Sequence, residues 1–119
     1  MGKTILTWAF GILMAFAGIN HILDPELYRS FIPGWLPLYS TNYFIGVIEL
    51  VLGLGLLFKS CRRPASLGLF MLMLFFLPFH LADVFRTHPA IGSVVLARIR
   101  LPLQLVLIYW AFFLIPRAR

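Results

Sequence analysis

Tyr43-Phe-Ile-Gly-Val-Ile-Glu-Leu-Val-Leu-Gly-Leu-Gly-Leu-Leu-Phe58 is an apolar run broken by a single carboxylate, Glu49. A carboxylate at the centre of a bilayer costs about 2.5–3.5 kcal/mol on insertion scales. It is therefore expected to be paired, protonated or turned towards a wet cavity. The rest of the chain says that this run crosses a membrane. Of its 119 residues, 61% are hydrophobic and 12% are charged, against roughly 25% charged in soluble domains. A single soluble domain of this length could not hide so much apolar surface, which points to an integral membrane protein.

Three more runs flank the first. With margins for helix ends, the expected spans are about 4–23, 41–58, 64–85 and 97–116, in one domain over 1–119. A helix needs about 20 residues to cross, and about 17 at the short end. The runs lack strand alternation and are too long for barrel strands, so backbone satisfaction in lipid favours helices. The fold class is all-α, a four-transmembrane-helix bundle. Lys3, Ile5–Met14 and Ala15-Phe16-Ala17 imitate a signal peptide with an A-x-A cleavage site. The apolar run continues to Leu23, however, and cleavage would leave three helices, so a first span is the preferred reading.

With four spans, Lys3, Lys59, Arg62, Arg63, Arg117 and Arg119 share one side, against Arg29, Arg86, Arg98 and Arg100 on the other. This imbalance puts both termini in the cytoplasm, and the bundle is expected in the cell's inner (plasma) membrane. It also explains the net charge of +6 without nucleic acid as a partner, because the basic residues flank apolar segments. The lone Cys61 has no partner for an intramolecular disulfide and no CxxC context.

The first outer loop carries its own signals. Asp24-Pro25-Glu26 reads as an N-cap, a proline at the first helical position and an acid in the first turn. A short helix through about Phe31 is expected before Pro33-Gly34-Trp35-Leu36-Pro37. The segment, about 25–38, should lie at the membrane surface as a lid or an aromatic anchor, with Tyr28, Phe31, Trp35 and Tyr39 at headgroup level.

The polar intramembrane residues fall in the outer half. At 1.5 Å rise per residue, Asn20 and His21 lie within roughly 5 Å of the outer end of the first helix, Glu49 roughly 13 Å down the second, and Gln104 roughly 9 Å into the fourth below Arg100. His80 and Asp83 lie near the outer end of the third helix, three residues apart on one face. Gly46, Glu49 and Gly53 share a stripe of helix 2; Gly11, Ala15 and Gly18 make one on helix 1. Small stripes are where membrane helices approach, so Glu49 should point into the bundle. Pro78 and Pro102 each remove a backbone hydrogen bond beside these groups.

Four readings of the cluster stay open. It can be a structural network that fixes helix register. It can hold the head of a quinone, lipid or sterol-like molecule, with the tail among Phe44, Phe75, Phe76 and leucines. It can relay protons. It can bind a metal through His21, Glu49, His80 and Asp83, although no HExxH-like spacing supports that and no metal is assigned.

Phe16-Ala-Gly-Ile-Asn-His21, Asp24-Pro25, Ile32-Pro33, Trp35-Leu-Pro37, Gly46–Leu57, Arg62-Arg63 and Arg100-Leu-Pro-Leu-Gln104 through Ala111 together resemble DoxX-like membrane proteins, in order, over nearly the whole chain. The resemblance implies a small four-helix bacterial membrane protein in which Asn20-His21, Glu49 and Arg100/Gln104 match recurrent polar positions. Such proteins serve quinone-coupled thiosulfate oxidation, redox-protective assemblies, receptor assembly or cargo export. No flavin, haem or iron–sulfur motif is present, so self-contained catalysis is not expected. The expected role is to bind a partner protein or a lipid- or quinone-like ligand in an outer-half cavity lined by Asn20, His21, Glu49, His80, Asp83, Arg100 and Gln104. The alternative is a membrane subunit of a quinone-linked oxidoreductase, working with a partner redox protein. A homo-oligomer is compatible with either.

Overall fold

A computed structural model describes residues 2–117. Four helices, α1 (Gly2–Leu23), α2 (Leu38–Gly55), α3 (Arg62–Val84) and α4 (Val94–Leu114), are joined by a 3-10 helix at Pro25–Phe31, a 3-10 turn at Lys59–Cys61 and an irregular loop. All four are long and apolar enough to cross a membrane. Their outward faces carry large apolar side chains such as Phe16, Leu23, Phe44 and Phe85. A water-soluble monomer rarely exposes so continuous an apolar surface.

Neighbours run antiparallel. Gly18 faces Gly46 and Gly11 faces Gly53 across α1–α2; Gly55 meets Ala65 and Gly68 meets Leu52 across α2–α3. Gln104 bonds to Met73, and Arg63 to Pro116, across α3–α4. Packing is unequal: α1 lies extensively on α2, and α3 on α4, whereas the two hairpins meet thinly along α2–α3 and least along α1–α4. The start of α1, the end of α4 and the Lys59–Cys61 turn, with its exposed thiol, share one end. The apolar core of Phe10, Met14, Leu56, Ala65, Leu69, Met73, Leu107, Ala111 and Leu114 fills the half of the bundle nearer that end.

The α1–α2 contact is backbone on backbone. A Cβ added at Gly18 would lie 2.5 Å from the Gly46 carbonyl oxygen, and one at Gly53 would lie 2.6 Å from the Ala15 nitrogen. Close approach of this kind lets membrane helices gain dispersion energy where the lipid offers no hydrophobic driving force between them.

The boundaries differ from expectation for local reasons. α4 begins at Val94 because the Ser93 hydroxyl accepts from Leu96 N at 3.1 Å, an N-cap. α2 starts at Leu38, directly after Pro37. It stops at Gly55, three residues early, and the Arg62 Nε donates to the carbonyl of the C-cap residue Leu56 at 2.8 Å. Asp24 does not act as the expected N-cap: its side chain makes no capping bond, and only its carbonyl accepts, from Leu27 N at 3.3 Å. Pro25 does occupy the first turn of the 3-10 helix.

Gly18→Ala should therefore destabilise the bundle by about 1–3 kcal/mol, the usual cost of overpacking. Gly34→Ala, where nothing lies within 4 Å of an added Cβ, should be neutral. Thermal unfolding in detergent compares them; equal melting temperatures would contradict the backbone contact.

Candidate functional site

The α1–α2 glycine contact brings His21 opposite Asn42 and Glu49. Asn42 is fully buried, and its amide donates to the Leu38 carbonyl at 2.8 Å and the Pro25 carbonyl at 3.4 Å. Its Oδ1 is therefore the acceptor that faces His21 Nδ1 at 2.9 Å, so Nδ1 carries a proton. The other ring nitrogen, Nε2, lies 3.7 Å from Glu49 Oε2. That separation is too long for a hydrogen bond, so the ring edge and the carboxyl face each other without a direct bond. The imidazole stacks on Tyr28 with centroids 3.7 Å apart, and Asn20 Nδ2 donates to the Tyr28 hydroxyl at 2.7 Å. Burial pushes the Tyr28 phenol above its ordinary value, so at neutral pH the hydroxyl keeps a proton to donate elsewhere.

Glu49 is 4% exposed, and its Oε2 has no hydrogen-bond partner among the described residues. The same is true of Arg100 Nη1. Among the described residues the two groups do not meet as an ion pair.

The other expected site residues do not join this cluster. Asp83 turns to the α3–α4 loop, accepting from Ala90 N at 2.5 Å and Ile91 N at 3.2 Å. It fastens that loop. Arg86, 3.7 Å from Asp83, also donates to the Ser30 carbonyl at 3.1 Å and ties the 3-10 helix to the end of α3. Gln104 Nε2 donates to the Met73 carbonyl at 2.7 Å, one residue before Leu74, whose carbonyl loses its helical donor to Pro78. His80 packs edge-on against Phe31 at 5.7 Å. Among the described residues, no three His, Cys, Asp or Glu side chains gather closely enough to hold a metal ion.

A cavity of about 410 Å³ lies beneath the 3-10 helix, between α2 and α3. Phe44, Ile45, Ile48, Leu72, Phe75, Phe76 and Phe79 form its walls; Phe31, Ile32, Pro33 and Leu36 roof it; and His21, Tyr28 and Thr41 supply its few polar atoms. Of the expected ligand contacts, His21, Phe44, Phe75 and Phe76 line it. Glu49, His80, Asp83, Arg100, Gln104 and Asn20 do not. Glu49 stands outside this lining, 3.7 Å from Nε2 of the lining residue His21. Asn42 and Tyr28, which orient that ring, were not among the expected site residues. Asn42 stands at the polar start of α2, where an asparagine reads as a turn residue.

The roof has its own anchor. Arg29 holds Glu26 with two bonds of 2.7 Å, and the Tyr39 hydroxyl donates to Glu26 at 2.6 Å. These partners, Arg29 foremost and then Tyr39, pull the Glu26 carboxyl down to about 2. A depressed carboxyl stabilises the fold above its unfolded value, near 4.5, and loses that contribution as pH falls towards about 2. Proteolytic nicking of the roof should therefore stay constant down to about pH 4.5 and rise below it. Glu26→Gln should be nicked readily at neutral pH; if the variant and wild type match at every pH, the anchor is unimportant. Asn42→Ala should cost roughly 1–3 kcal/mol, because it strands the half-buried Nδ1–H of His21. An unchanged detergent melting temperature would refute this ring-orienting role.

No curated protein and no solved structure matches the chain. A family model described as a domain of unknown function, DUF8561, matches residues 10–115, nearly all of the bundle including α1 to α4 from Phe10 onwards. The chain therefore belongs to the DUF8561 family.

Proposed function

We propose that the chain is a multi-pass protein of the plasma membrane, with both termini cytoplasmic, that holds the hydrocarbon part of a lipid-like molecule in the cavity beneath the 3-10 helix. The carrying observation is the cavity: about 410 Å³ with walls almost wholly of carbon, in the size range of small-molecule sites. Phe44 and Phe75 are 70% and 59% exposed and also line it. The same side chains thus meet the surroundings and the interior, which supports sideways entry of a chain between α2 and α3 from the bilayer. The roof then lies at the membrane surface as an interfacial lid, with Trp35, 82% exposed, at headgroup level.

The polar supply favours a chain over a polar ring system. His21 Nδ1–H is committed to Asn42, which leaves Tyr28 and Thr41 to meet a headgroup. One acceptor can be satisfied at the Tyr28 hydroxyl. An acyl or isoprenoid chain with one carbonyl or hydroxyl near Tyr28 fits this supply. The isoprenoid tail of a quinone would fit the same walls, which is how a quinone-linked oxidoreductase subunit would use the site. Kinship with DoxX-like proteins is part of the proposal, supported by the order of the shared motifs from Phe16 to Ala111. Glu49, in this reading, orients His21 as part of the cavity wall.

Native mass spectrometry of protein extracted from membranes should find one bound lipid-like molecule and identify it. Ile48→Trp, which fills the cavity, should release it while leaving helicity and melting temperature near wild type. Retention of the same molecule by a folded Ile48→Trp protein, or its absence from both, would overturn the reading.

A further inference from the structure

A second groove lies at the opposite end of the bundle, on the thinnest seam, α1–α4. Leu6 forms one wall, and Val106, Tyr109, Trp110 and Phe113 form the other, around a volume of about 310 Å³. From Val106 to Phe113 it runs along two turns of α4, roughly 10 Å. Its surface is apolar throughout, and it opens to the side of the bundle.

Charge marks the mouth of this groove. The Lys3 ammonium sits 5.4 Å from the centroid of the Phe113 ring, one helical turn above Leu6. Arg63 donates to the Pro116 carbonyl at 2.7 Å, which places a second cation at the end of α4, beside Arg117. Lys59 and Arg62 stand on the same end of the bundle. The chain has four acids in all, Asp24, Glu26, Glu49 and Asp83, and none belongs to this end. An apolar slot that opens under uncompensated cations complements one kind of molecule: an acyl chain below an anionic head.

We propose that the α1–α4 groove binds an anionic phospholipid, one acyl chain lying against Trp110 and Val106 and the phosphate held by Lys3 with help from Arg117. The site is separate from the cavity beneath the 3-10 helix and needs only that the bundle spans a bilayer. A cation of this kind near an anionic headgroup is worth roughly a fivefold preference, and the effect weakens with salt. The groove supplies the contact that a cation on an open surface lacks. It makes the lipid a seated ligand on a seam where α1 and α4 otherwise touch little.

Tryptophan fluorescence tests this directly. The chain has three tryptophans; Trp8→Phe with Trp35→Phe leaves Trp110, in the groove wall, as the sole reporter. The double variant is reconstituted in vesicles doped with brominated phosphatidylglycerol or brominated phosphatidylcholine. The expected result is quenching about fivefold more effective with the anionic lipid, falling towards equality at high salt and in the added Lys3→Gln, Arg117→Gln background. Circular dichroism confirms that the variants remain helical. Equal quenching by both lipids overturns the proposal. So does a preference that survives removal of both cations. So does protection from both lipids with a crosslinked dimer, which would mean that a second copy of the chain covers the groove.

Discussion

The contact between the backbones of α1 and α2 at Gly18/Gly46 and Gly11/Gly53 sets the geometry of everything else. Lipid tails are as apolar as the side chains they meet, so two helices in a bilayer gain little by hiding hydrophobic surface from it. They gain by fitting together. Missing Cβ atoms allow a fit close enough for the His21 ring to reach Asn42 at 2.9 Å and Glu49 at 3.7 Å. A methyl group at any of these glycines would meet main-chain atoms that cannot move aside. The polar network is thus a consequence of helix fit, and its price in desolvation is bearable only because the fit holds its partners in place.

The bundle divides its labour along its length. Near the termini, methionines, leucines and Phe10, edge-on to Trp110 at 4.8 Å, fill the interior. At the other end, Asp83 and Arg86 secure loops, Gln104 secures α3 to α4, and the space between the hairpins stays open. The thin α2–α3 seam and the well-tied roof are two sides of one arrangement. A cavity persists only where surrounding elements are held by something other than the atoms that would fill it.

Four apolar helices were legible in the sequence because the runs are long and charges mark their ends. Helix boundaries were less so. They rest on single side chains, Ser93 capping α4 and Arg62 closing α2, whose partners are set by three-dimensional proximity. The glycine stripes of α1 and α2 could be read from spacing, and they do meet. The polar residues were legible by depth, but depth does not fix direction. Glu49, Asp83 and Gln104 are all buried, yet each turns to a different partner: an imidazole, two loop amides and a backbone carbonyl. Asn42 carried no signal, since an asparagine before an apolar run usually belongs to a turn. Its importance comes from facing His21, whose own sequence position is 21 residues away. The aromatic walls of the cavity were legible as aromatic, and only the separation of the hairpins shows that they surround space.

Cys61 has a use that its isolation creates. It is the chain's single thiol, and it is exposed in the short turn between α2 and α3, level with the start of α1 and the end of α4. The protein therefore carries a built-in marker of sidedness. Whichever face of a sealed membrane a thiol reagent reaches Cys61 from is the face that holds the start of α1 and the end of α4, with no tag or added residue needed.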